Sequence, residues 1–178
     1  NLGKIEKVIK PTYIIHGQRD TLIPLQHAEK LHAACGARIT GLRRTPGPPP
    51  TYFGAADRLL PVNELEAVLP GTDHLVLCLP GGTATDRLLD ARRLALLPAH
   101  AGIYNLGRGN AIDEPALAAL LRERPDTEAY LDVFAEEPLP ETSPLRELPN
   151  CLVLPHVSAN APQFMDLFVD ELISRLSG

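Results

Sequence analysis

The sequence has no tryptophan, one methionine, and four each of tyrosine and phenylalanine in 178 residues. The 44% hydrophobic content is enough for one sizeable core rather than two small ones. Cysteine is scarce. Cys35, Cys78 and Cys151 stand far apart, with no C-x-x-C pair and no histidine at ligand spacing. That argues against a zinc site or a disulfide framework and for a reducing compartment. Long hydrophobic runs are also lacking: the longest uncharged stretch, Leu94 to Gly107, is short for a bilayer span and is broken by Pro98. No basic–apolar–small leader pattern opens the sequence, so a cytoplasmic-type soluble protein is expected. Nor is there an excess of positive charge. With 17 Lys and Arg against 22 Asp and Glu, the formal net charge of −5 argues against nucleic acid or an anionic membrane as a partner held by bulk field.

What the sequence does hold is proline, 18 of them, scattered except at Pro46 and Pro48 to Pro50. This is the pattern of a loop-rich globular protein. Six short apolar runs recur with room for a helix between them: Thr12–Ile15, Arg38–Leu42, Leu75–Leu79, Gly102–Leu106, Ala129–Val133 and Cys151–Leu154. Each is nearly continuous in hydrophobicity, as a strand buried on both faces of a parallel sheet requires. Helical patterns fill the intervals at Pro24–Cys35, Val62–Val68, Arg92–Leu97 and Asp113–Arg124, with a longer one at Gln163–Leu176. Alternating strands and helices predict an α/β fold, a single Rossmann-like doubly wound parallel sheet of about six strands with flanking helices. The expected order is 3-2-1-4-5-6, with Thr12–Ile15 at the centre.

A dinucleotide site on such a sheet needs bare backbone in its first turn, conventionally G-x-G-x-x-G, so that a pyrophosphate can approach a helix N-terminus. Here that turn reads His16-Gly17-Gln18-Arg19-Asp20-Thr21-Leu22-Ile23-Pro24, with one glycine and a carboxylate at Asp20. On these residues alone the turn binds a dinucleotide poorly.

From Arg38 onward the sequence resembles the nucleotide-binding domain of the D-2-hydroxyacid dehydrogenases, nearest to their glyoxylate/hydroxypyruvate reductase branch. The resemblance rests on blocks in the family's order: Asp73–Pro80 as the third strand with its terminal proline, Thr83–Leu97, Asn105–Asp113 as N-x-x-R-G-x-x-x-D, Leu131–Pro140 containing D-V-F-x-x-E-P, and Leu154–Ala159 as P-H-x-S-A. It implies Arg108 as binder of the substrate carboxylate and carbonyl, His156 as acid/base, and Glu137 as the group that orients the imidazole and raises its basicity. It implies Asp132 near the nicotinamide and Leu79, Pro80, Leu106 and Gly107 along the cofactor. The roles suit the chemistry: a keto acid is held by a planar cation, and reduction of its carbonyl needs a proton donor that titrates near neutrality. Arg43 and Arg44, at the end of the second strand, occupy the place of the acid that reads a ribose. They are either a solvated surface pair or readers of a 2′-phosphate, favouring NADP.

Residues 1–36 resemble a different family. Lys4–Pro24 followed by Gln26–Leu31 looks like the α/β-hydrolase segment P-x-L-I-I-H-G-x-x-D-x-x-V-P, which implies Asp20 as a triad acid. The four serines, Ser143, Ser158, Ser174 and Ser177, lie in no G-x-S-x-G elbow, so Asp20 is an acid without its nucleophile. The combined expectation is one domain over 1–178: a hydrolase-like βα unit at 1–36 joined near Gly36–Arg38 to a dehydrogenase-like portion at 37–178. Such a protein reads as a chimera, engineered or recombined, with a vestigial Arg108–Glu137–His156 site and no efficient catalysis. The alternative is a weak NADP-binding module with residual 2-keto-acid reductase activity. With few residues ahead of the first strand, the family's second domain is expected to be missing. The apolar stripe Phe164, Leu167, Phe168, Leu172 and Leu176 suggests a monomer, or a homodimer through the C-terminal helix.

Overall fold

The computed structural model describes residues 11–16, 38–45, 47–49 and 53–157, the first of these by backbone alone. The expected helices at Pro24–Cys35 and Gln163–Leu176, the loop carrying Asp20 and the join at Gly36 lie outside the described residues. Seven strands are formed: β1 (Pro11–His16), β2 (Arg38–Arg43), β3 (Arg58–Pro61), β4 (His74–Cys78), β5 (Gly102–Asn105), β6 (Glu128–Leu131) and β7 (Cys151–Val153). They make one parallel sheet in the order β3-β2-β1-β4-β5-β6-β7. The strand expected at the centre is there, with Ile14 opposite Gly41 on one side and Val76 on the other.

The six-strand expectation needs a correction. Arg58–Pro61 is a strand of its own, so Leu75–Leu79 belongs to the fourth strand and pairs with β1 rather than lying beyond β2. β3 is hard to read because it has four residues, ends in proline and is only half-buried. An edge strand needs neither continuous hydrophobicity nor a free N–H at its last residue.

Three short helices are described: α1 (Leu65–Val68), preceded by a 3-10 turn at Val62–Glu64, α2 (Ala91–Leu94) and α3 (Glu114–Glu123). Their N-terminal limits follow from capping. Asp90 accepts from the Arg93 N–H at 2.8 Å, and Asp113 accepts from the Ala116 N–H at 3.1 Å, with Pro115 in the first turn. The helices bury Leu65, Leu94, Leu117 and Leu121 against Leu75, Leu77, Ile103 and Leu131 of the sheet, in a core that is aliphatic almost throughout.

Outside that core, Glu66 of α1 takes both guanidinium nitrogens of Arg92 (2.6 and 2.5 Å) and the Nε of Arg93 (3.1 Å). These bonds, Arg92's first, hold the Glu66 carboxyl at about 2. Its folded value lies below the unfolded 4.5, so whatever the pair contributes is present above pH 4.5 and lost as pH falls through 2. Urea midpoints of the protein and its Glu66→Gln variant should therefore differ at neutral pH and converge between pH 4.5 and 2. A gap unchanged across that range would show that the clamp acts through packing instead.

Candidate active site

Because every strand is parallel, the carboxyl ends line one edge of the sheet, which is where α/β sheets bind ligands. Leu79 and Pro80 follow β4, Leu106 and Gly107 follow β5, Asp132 follows β6, and Arg43 ends β2 with Arg44 next to it. All the residues expected along a cofactor thus stand on that edge. Arg43 and Arg44 lie on the other side of β1 from the strands that lead to Arg108, Glu137 and His156.

The loop after β5 is shaped by groups that contact backbone. Asn105, buried, accepts from the Gly107 N–H at 3.2 Å and donates to the Arg108 carbonyl at 3.1 Å, closing the turn. Gly107 lies against β4's end, where a Cβ would be 2.5 Å from both the N and the O of Leu79. Gly109 is tighter still: a Cβ there would sit 1.8 Å from the carbonyl carbon of Phe134 and 2.3 Å from the nitrogen of Ala135. Only glycine lets the Arg108 loop press on the peptide that leads to Glu137.

His156 and Glu137 are brought into direct contact, with Nδ1 2.5 Å from Oε2. The second carboxylate oxygen of Glu137 accepts the Phe134 N–H at 2.9 Å. Partial burial by itself would raise the Glu137 pKa. The bonds from His156 and Phe134 and the charges of His156 and Arg108 outweigh it and hold the carboxyl below its ordinary range. An ionised carboxylate can only accept, so the shared proton sits on Nδ1 of His156 and Nε2 is left facing away from Glu137. His156 also has a left-handed backbone, φ +52, uncommon outside glycine. Its turn is secured by Asp132, fully buried, which accepts the Val157 N–H at 2.9 Å. Asp132 thus braces the histidine turn as well as standing at the strand edge.

Three contributors escaped the sequence reading. Asn105 and Gly109 stand inside the N-x-x-R-G block but received no role of their own. Glu114 left no signal at all. In the first turn of α3 it accepts the Ala135 N–H at 2.6 Å. Burial first, and then the charges of Glu136 and Glu137, push its carboxyl above the ordinary range despite the Ala135 bond. Cys151 is half-buried and its thiol is pushed up to about 11, so it is a poor nucleophile. Among the described residues no group of three metal-ligating side chains is found.

The edge fits a nucleotide. Gly81 and Gly82 leave bare backbone after Pro80, with nothing within 4 Å of a Cβ placed at Gly82. The first acid after Arg43 and Arg44 is Asp57, and its two oxygens already accept the amides of Ile39 and Gly54 at 2.7 Å. The cations at the end of β2 therefore have no acidic neighbour in sequence to read ribose hydroxyls.

The sequence model of the "D-isomer specific 2-hydroxyacid dehydrogenase, NAD binding domain" matches residues 25–158. The chain belongs to that family. Among curated relatives, glyoxylate/hydroxypyruvate reductase B of Pectobacterium carotovorum is 41% identical over 119 residues, which cover 65% of this chain and 37% of that one. The chain spans little more than a third of the length of the curated relatives it matches. Among solved structures, a D-isomer-specific 2-hydroxyacid dehydrogenase from Xanthobacter autotrophicus in complex with NADPH superposes with a TM-score of 0.70 at 34% identity, covering 93% of this chain and 66% of that one. An NADPH-dependent glyoxylate/hydroxypyruvate reductase from Sinorhizobium meliloti, in complex with NADP and malonate, gives 0.70 at 28% identity, covering 95% and 50%.

These matches lend no support to a hydrolase-derived start, a chimera or an engineered origin. The dehydrogenase model already begins at residue 25, inside the stretch that resembles a hydrolase, and a second Xanthobacter structure covers 99% of the chain. The hydrolase likeness spans one strand–loop–helix unit, a unit that every right-handed α/β fold contains.

The Gly109 contact yields a test. Gly109→Ala forces a methyl group onto backbone that cannot swing aside, so it should cost at least about 3 kcal/mol, the upper range for overpacking. Urea denaturation should show the loss, and a change below about 1 kcal/mol would mean the two loops part freely.

Proposed function

We propose that this chain binds NADP(H) and takes part in the reduction of a small 2-keto acid of the glyoxylate or hydroxypyruvate class. The observation that carries this reading is the His156–Glu137 contact at the strand edge, under the charge of Arg108. When bound, the reduced nicotinamide supplies a hydride. Arg108 holds the substrate carboxylate and polarises its carbonyl. His156, entering the step protonated on both nitrogens with its Nδ1 proton held by Glu137, gives the Nε2 proton to the developing alkoxide and is left as the neutral Nδ1–H ring. Asp132 keeps that imidazole in place through the Val157 amide. Leu79, Pro80, Leu106 and Gly107 form the wall along which the cofactor lies, and Arg43 and Arg44 favour the 2′-phosphate of NADP over the hydroxyl of NAD.

Binding by this chain is weak in this reading, because the sequence after β1 holds one glycine, Gly17, and a carboxylate, Asp20, where a diphosphate-binding turn is glycine-rich. Like charges at contact distance cost on the order of 1–4 kcal/mol in partly screened surroundings, against about 1 kcal/mol from an exposed arginine–phosphate pairing. The reductases that this chain resembles are longer than it is, and their full activity belongs to the proposal.

Calorimetric titration decides the cofactor. NADPH should bind more tightly than NADH, Arg43→Ala with Arg44→Ala should erase the preference, and Asp20→Gly should tighten binding, most of all at low salt. Equal affinity for both nucleotides that the double variant leaves untouched would sink the assignment. For the chemistry, any glyoxylate-dependent NADPH oxidation should disappear in both Arg108→Ala and His156→Ala. Turnover that survives both would place the reaction elsewhere.

A further inference from the structure

Glu114 is the titratable group near the site that the reaction above leaves without a task. It stands on a rigid element. The preceding residue, Asp113, caps α3 and donates its N–H to the Leu89 carbonyl at 3.0 Å, and α3 buries Leu117 and Leu121 in the core. From there Glu114 reaches across to the loop after β6. Two successive amides of that loop go to two carboxylates: Phe134 to Glu137, within the loop, and Ala135 to Glu114, outside it. The peptide between them is the one on which Gly109 rests. The loop is thus pinned from two sides by residues just beyond Arg108 in sequence. Phe134 anchors it from below, 6% exposed.

Half-buried and beside Glu136 and Glu137, Glu114 occupies a place that is unfavourable for its own charge. What it gives the loop is therefore an acceptor at the right point rather than a net ion pair. Removing it frees the Ala135 amide and takes away one of the contacts, with that of Gly109, that hold the two loops together. Glu137 is two residues further on, and its carboxylate sets the His156 ring.

We propose that Glu114 is a positioning residue: by accepting the Ala135 amide it fixes the Glu137–His156 pair relative to Arg108. This rests on the roles given above to Arg108, Glu137 and His156. Its consequence is geometric, since a proton donor and a carboxylate clamp work on one small substrate only when their separation is fixed.

The test uses the 178-residue chain and two variants, Glu114→Ala and Glu114→Gln. Ring-nitrogen NMR of His156, identified by the resonances lost in His156→Gln, reports which nitrogen carries the proton. The unsubstituted chain should give the Nδ1–H signature, Glu114→Gln should keep it because the amide oxygen still accepts, and Glu114→Ala should give a mixture of tautomers. With NADPH and glyoxylate, Glu114→Ala should lower kcat about tenfold with KM within about twofold, and Glu114→Gln should restore kcat. A Glu114→Ala variant that melts earlier but keeps the unsubstituted ring signature would overturn the proposal and leave Glu114 a loop anchor only. If Glu114→Ala does not fold, Glu114→Asp, one methylene too short to reach the Ala135 amide, is read in the same way. Absence of glyoxylate turnover in the unsubstituted chain would count against the reductase reading, while the ring-nitrogen result would still decide the role of Glu114.

Discussion

Two loops leaving neighbouring strands meet where Gly109 rests on the peptide joining Phe134 to Ala135, and no side chain fits between them. One loop carries Arg108 and the other leads to Glu137. Neither strand position alone fixes the distance between a cation on β5's end and a carboxylate on β6's, because each loop has room to bend. Backbone contact removes that room. Asn105 closes the first loop on itself, Glu114 takes the amide of the second, and the pair Glu137–His156 then inherits a fixed place. The parallel register supplies the edge, and the missing Cβ turns the edge into a site.

The same dependence explains what was legible in the sequence. Central strands announce themselves, since Leu75–Leu79 and Gly102–Leu106 are nearly continuous in hydrophobicity and end at Pro80 and Gly107. Strand β3 did not, because an edge strand of four residues ending in Pro61 is constrained on one side only. The site residues were recognisable as blocks, N-x-x-R-G and D-V-F-x-x-E-P, but a block does not say which member touches which. That Asp132 braces the His156 turn, or that Glu114 reaches Ala135, depends on contacts across 25 and 21 residues of chain. The likeness of residues 4–31 to a hydrolase segment came from the reverse fault. It rests on a short local pattern of residues, and local patterns are shared by unrelated α/β proteins.

Electrostatics at the site follow from partial rather than complete burial. The side chains of His156 and Glu137 are 37% and 34% exposed, so solvent screens them even as the hydrogen bond holds them. Desolvation works against the Glu137 charge, and only the sum of His156, the Phe134 amide and Arg108 turns the balance toward ionisation. That sum is sensitive to geometry, since each member acts over a short range and none is large enough alone. A carboxylate kept charged by several modest partners is a weaker electrostatic device than one sealed from water, where the same partners would act at lower dielectric. The strength of the His156–Glu137 pair is therefore set by what excludes water from its open side: any group that covers His156 would strengthen the Glu137 contact that orients it.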